Sequence, residues 1–121
     1  MNTAASFLEG SPFGQAREIK QPRLLAELSD LTRLHRQGGP GYDRMVAAIF
    51  GGNARYDSLE TLPWLPVQLF KRLDLKSVPD EQIVRTLVSS GTTGSAPSRV
   101  FLDKETARAQ TTALARIRSC R

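Results

Sequence analysis

A chain of 121 residues with 40% hydrophobic and 24% charged residues has the length and balance of one small globular domain, not of a disordered tail. One cysteine, Cys120, excludes an internal disulfide framework, and one histidine, His35, leaves too few ligands for an imidazole or thiolate metal site. The net charge of +5 is scattered from Arg17 and Lys20 through Arg36, Lys71 and Arg72 to Arg108, Arg116 and Arg121, with no run of five like charges and no interleaved aromatics. It reads as a solvated surface rather than a nucleic-acid footprint.

The start, 'MNTAASFLEGSPFG', lacks the basic and apolar regions of a signal peptide, and no apolar run approaches the roughly 20 residues of a membrane span. The expected location is cytoplasmic. From Pro22 to Gln37 the spacing predicts a helix with Leu24, Leu25, Leu28, Leu31 and Leu34 near one face, Pro22 in its first turn and Gly38-Gly39 as its stop. His35 falls in the last turn, where the helix dipole favours a cation, and reads as a surface residue. A second helix follows in 'GYDRMVAAIFGG', with Tyr42, Met45, Val46, Ile49 and Phe50 as its buried stripe.

Pro63 and Pro66 then bracket Trp64-Leu65, which forces an extended segment before Pro66 opens a short helix. That helix carries Val67, Leu69, Phe70 and Leu73, with Lys71 and Arg72 outward, and the proline-held Trp64-Leu65 reads as a packing wedge, with one wall of a pocket as the alternative. 'EQIVRTLVSS' predicts a strand over about 83–88, and 'SRVFLD' a second short strand. Asp103 is placed to cap a last helix running to about Ile117, with Ala107, Gln110, Leu114 and Ile117 on its inner face. The expected class is α/β: a mainly helical half over 1–60, then strand, loop, strand and helix over 61–121, in one partial domain. A lone hairpin is marginally stable, so these strands call for further partners, and the chain is expected to be the front part of something larger.

The loop between the strands, 'SSGTTGSAPSR', carries the chemistry. Gly91 and Gly94 allow positive φ and close approach of backbone N–H groups to a ligand. The hydroxyls of Ser89, Ser90, Thr92 and Thr93 add donors to what an anion-binding nest would supply, and Arg99 beyond Pro97 adds a guanidinium. The wording is neither a Walker A loop, which ends Gly-Lys-Ser/Thr, nor a dinucleotide G-x-G-x-x-G. On residues alone, a soft turn and a phosphate cradle stay open.

'SSGTTG' followed closely by a proline resembles the phosphate loop of adenylate-forming ligases. The variant 'SSGTTGSAPSRVFLD', preceded by 'LPWLPVQLFKRLDLKSVPDEQIVRTL' and followed by 'KETARAQTTALARI', is similar to the acyl-protein synthetase (LuxE) family, related to phenylacetate-CoA ligases. The resemblance covers roughly residues 62–117 and implies the N-terminal fragment of an adenylate-forming ligase fold. It implies activation of a fatty or aryl carboxylic acid with ATP and Mg²⁺ to an acyl-adenylate, then acyl transfer to a thiol, with an acceptor or reductase protein as partner. Ser89, Ser90, Gly91, Thr92, Thr93 and Gly94 would cradle the phosphates, and Arg99 would stand near the usual lysine. Later ligase motifs have no counterpart before Arg121, so the chain is not expected to act alone. A non-catalytic nucleotide- or partner-binding module derived from such a ligase is the alternative. Cys120, in 'RIRSCR', matches no motif and is read as incidental.

Overall fold

The computed structural model describes residues 14–53, 55–90 and 96–119. In order these form helix α1 (Arg17–Gly38), helix α2 (Pro40–Phe50), a 3₁₀ turn at Leu59–Thr61, the one-turn helix α3 (Leu69–Arg72), a second 3₁₀ turn at Asp80–Gln82, strands β1 (Ile83–Val88) and β2 (Arg99–Asp103), and helix α4 (Lys104–Ser119). The architecture is α/β, and the sheet is one antiparallel pair. Leu87 faces Val100, Thr86 faces Phe101 and Arg85 faces Leu102, with an irregularity between Ile83 and Arg85.

Helix α1 starts five residues before the Pro22 expected at its first turn. Pro22 lies inside the helix, where its ring nitrogen cannot donate to the carbonyl four residues back. The first turn closes instead through Ile19 N–H and Lys20 N–H donating to the Ala16 carbonyl at 3.1 and 3.0 Å. Helix α2 opens on Pro40 as its first residue, the position where a missing N–H costs nothing. It ends at Gly51, whose φ of 82° is a left-handed value that side chains resist.

The buried stripes are narrower than the periodicity predicts. In α1, Leu24, Leu25, Leu28 and Leu31 are half-buried, but Leu34 is exposed, and the most buried residue is the polar Thr32. The Thr32 hydroxyl is satisfied by donating to the Leu28 carbonyl at 2.7 Å. In α2, Val46 is 1% exposed while Ile49 faces solvent. The other buried apolar residue among those described is Leu102 in β2, at 7%. Trp64 is 69% exposed and meets Phe50 edge-on at 6.2 Å, so the proline bracket holds a surface aromatic pair rather than a wedge. The turn at Pro66 precedes α3 instead of opening it: Val67 is exposed, and Leu69 N–H donates to the Pro66 carbonyl at 3.0 Å. Lys71, expected outward, is half-buried. Helix α4 is capped as expected, Thr106 N–H donating to Asp103 Oδ1 at 2.7 Å. That bond, made to the charged carboxylate, holds the Asp103 pKa below the ordinary aspartate value. Its distal apolar residues, Leu114 and Ile117, are exposed.

The α1–α2 corner rests on the segment before β1. A Cβ at Gly38 would collide with the Ser77 backbone carbonyl, and one at Gly39 would come within 3.3 Å of the Lys76 carbonyl. Gly38→Ala is therefore expected to destabilise by about 1–3 kcal/mol as the two segments are pushed apart. Gly41→Ala, which meets nothing within 4 Å, is expected to be neutral or stabilising by up to about 1 kcal/mol through helix propensity. Urea unfolding of both variants checks the contrast.

Candidate functional site

The loop of interest leaves β1 after Val88 and re-enters β2 at Arg99, and its base is closed by a pair of serines. Ser89 N–H donates to the Ser98 carbonyl at 3.0 Å, and Ser98 N–H donates to the Ser89 hydroxyl at 2.9 Å. Ser89 thus spends one of its two oxygen lone pairs on the hairpin and keeps its hydroxyl proton to offer to a ligand. Ser90 is exposed at the point where the loop departs. Gly91, Thr92, Thr93 and Gly94 lie outside the described residues.

Arg99, the first residue of β2, stands opposite Val88. Its guanidinium Nη2 donates to Asp74 Oδ1 at 2.7 Å. Both side chains are about half exposed, so this ion pair is screened and contributes little to stability. Two residues on, Lys76 repeats the pattern, with its ammonium 5.3 Å from the Phe101 ring centroid and 2.6 Å from Asp80 Oδ1. Asp74 and Lys76 therefore run beside Arg99 and Phe101 in the same sense, on one side of β2. The candidate site joins Ser89, Ser90 and Arg99 at one end of the hairpin.

Sequence reasoning missed Asp74. The two partners are 25 positions apart and share no local spacing. One signal was present: 'LDLK' alternates apolar and charged residues, the period of an extended segment with two different faces.

On the other side of this segment, Ser77 meets α1. The Ser77 hydroxyl lies 2.7 Å from His35 Nδ1, and the His35 ring is edge-on to Tyr42 at 6.2 Å. Desolvation lowers the His35 pKa, although the residue keeps contact with solvent, and the same cause raises that of Tyr42. The imidazole is thus biased to its neutral form, not to the cation that its helix-terminal position favours.

An open cavity of about 370 Å³ lies elsewhere, between the ends of α1 and α2, lined by Arg33, Arg36, Gln37, Asp43, Gly52 and Tyr56. Arg36 is largely buried there and donates to Asp43 and to the Asn53 carbonyl. The cavity is polar and its charges are paired, so it does not fit an acyl chain. Among the described residues, no group of three or more His, Cys, Asp or Glu is placed to hold a metal ion, and no helix is long and apolar enough to cross a membrane.

A family model described as acyl-protein synthetase, LuxE, matches residues 4–119. No curated protein and no solved structure matches the chain.

The neutral His35 makes stability depend on pH. The folded imidazole takes up a proton less readily than the unfolded one, so its contribution is complete above the ordinary value of 6.5 and declines as pH falls through it. His35→Gln is expected to remove the part of the decline that sets in as pH falls through 6.5. Urea midpoints above and below that value check it, and an unchanged slope would contradict this account of His35.

Proposed function

The chain belongs to the acyl-protein synthetase, LuxE, family, and from that membership we propose that it carries the phosphate loop of an ATP-dependent acyl-activating ligase. The observation that supports the reading is the hairpin: 'SSGTTG' follows one strand of an antiparallel pair, its base is pinned by Ser89 and Ser98, and Arg99 is the first residue of the returning strand. A short, hydroxyl-rich glycine loop offers many donors at close range, which a triphosphate demands and a simple turn does not need.

In the proposed reaction a carboxylate oxygen attacks the α-phosphorus of ATP, the bond to the β-phosphate bridging oxygen breaks, and pyrophosphate leaves. A thiol then attacks the acyl carbon and AMP departs. Backbone N–H groups of Gly91 to Gly94, the hydroxyls of Ser90, Thr92 and Thr93, and the Ser89 hydroxyl proton would hold the β- and γ-phosphates. Arg99 would neutralise charge that grows on the departing pyrophosphate. Mg²⁺, which the family implies, is commonly held by phosphate oxygens and one or two carboxylates. Among the described residues no group of three or more His, Cys, Asp or Glu forms a cage for it. A fatty or aryl acid is the substrate class and a thiol-bearing or reductase protein the acceptor.

The second reading is a nucleotide- or partner-binding module derived from such a ligase. The small core favours it: the buried apolar residues among those described are Val46 and Leu102, and the polar cavity does not suit an acid with an apolar tail.

ATP titration followed by calorimetry, together with ATP–pyrophosphate exchange in the presence of long-chain fatty or aryl acids, separates the readings. Binding is expected, weakened roughly tenfold or more by Gly91→Val, which introduces bulk where the loop must approach phosphate. Acid-stimulated exchange, in this chain or in a version extended downstream, identifies a ligase, and binding without exchange in either identifies a module. An absence of ATP binding would refute the phosphate-loop assignment.

A further inference from the structure

Arg99 is already engaged. Its Nη2 donates to Asp74 Oδ1, and the position of Asp74 is set from both sides of its own segment. Lys76 is anchored over Phe101 and to Asp80, and Ser77 is anchored to His35. Asp74 therefore stands level with Arg99, at the end of the hairpin where the loop leaves, and not farther down the strand. Of the five N–H donors of a guanidinium this bond uses one, and the side chains are 53% and 43% exposed.

We infer that Asp74 is a displaceable counter-ion that governs the affinity of the loop for polyphosphate: an incoming triphosphate takes over the Arg99 guanidinium and Asp74 releases it. The inference rests on the phosphate-loop reading and adds a residue that sets its affinity.

Two effects of Asp74 oppose each other. By holding Arg99 it reduces the side-chain freedom lost on binding, which favours the ligand. By its charge it repels the ligand and competes for the same donors, which disfavours it. The first effect is limited, because an ion pair this exposed restrains its partners only weakly. The second grows with the number of ligand charges, about four on free ATP, acting across several ångströms. For a polyanion the repulsion and competition win, so removing the carboxylate tightens binding. A guanidinium suits such an exchange, since its planar fork passes from a carboxylate to a phosphate without changing the kind of bond it makes.

The test is calorimetric titration of the full chain with Mg-free ATP at low salt, using wild type, Asp74→Asn, Asp74→Glu, Arg99→Gln and the Asp74→Asn/Arg99→Gln pair, each checked for native circular dichroism. Asp74→Asn is expected to bind about fivefold tighter than wild type. Asp74→Glu, which keeps the charge, is expected to stay within about twofold of wild type. The gain from Asp74→Asn is expected to shrink when Arg99 is Gln, because there is then no guanidinium to release. If wild type binds ATP but Asp74→Asn binds equally or more weakly, the exchange is wrong while the phosphate loop stands. Equal gains with and without Arg99 would reduce Asp74 to a repelling neighbour and also overturn the exchange. ATP binding by none of the variants overturns both readings together.

Discussion

Residues Asp74 to Ser77 touch both halves of this molecule. Asp74 reaches Arg99 and Lys76 reaches Phe101 on β2, while Ser77 reaches His35 on α1 and its carbonyl fills the space beside Gly38. The segment belongs to no strand and bends at Ser77. One short stretch thereby serves two surfaces, Asp74 and Lys76 meeting β2 and Ser77 meeting α1. Among the described residues, polar contacts and a glycine corner join the strand hairpin to the helices.

That arrangement has an energetic consequence. Among the described residues, complete apolar burial is confined to Val46 in the helical hairpin and Leu102 in the strand hairpin, so each half has its own small centre. Exposed ion pairs and single cation–π contacts each contribute about 1 kcal/mol or less. Joining the halves is thus a matter of steric fit at Gly38 and Gly39, with the polar contacts selecting register more than supplying stability. Meanwhile Trp64, Val67, Val84, Val88, Leu114 and Ile117 stay in contact with solvent. A sheet of two strands has little surface with which to cover such residues.

The elements were readable in the sequence because each is announced locally. Gly38-Gly39 and Gly51-Gly52 stop two helices, β-branched residues mark β1, and Asp103 supplies a cap three residues before the N–H it accepts. What periodicity conveys is which residues share a face, and it says nothing about whether anything packs against that face. Leu34, Ile49, Leu114 and Ile117 keep the right spacing and remain exposed for that reason. Pro22 misled in a different way: a proline is compatible with the interior of a helix when the turn before it is held by other bonds, here those to the Ala16 carbonyl. The loop was legible as a composition, and so was Arg99 as its adjacent cation. Asp74 and His35–Ser77 were not, because pairs separated by 25 and 42 positions have no signature in a single sequence.

The two serines at the start of the loop divide labour in a way that the composition of 'SSGTTG' hides. Ser89 is committed to the hairpin, where its backbone N–H and hydroxyl oxygen bind Ser98 on both its carbonyl and its amide. Replacing that hydroxyl would cost the loop its anchor before it cost a ligand its donor. Ser90, one residue on and exposed, has no such duty. A loop that must present many donors at once gains from having its ends fixed independently of the ligand, because the entropy of closing it is then spent in folding and not in binding. Arg99 adjoins this anchor as the next residue after Ser98. Its backbone is fixed by the strand pair, while the exposed pair with Asp74 restrains its guanidinium only weakly. A lysine there would bring an equal charge but only a point contact, whereas the planar fork of arginine is matched to two oxygens at once. On the phosphate-loop reading, the arginine beside the loop is paired with a carboxylate that a fork-shaped cation can hold and exchange.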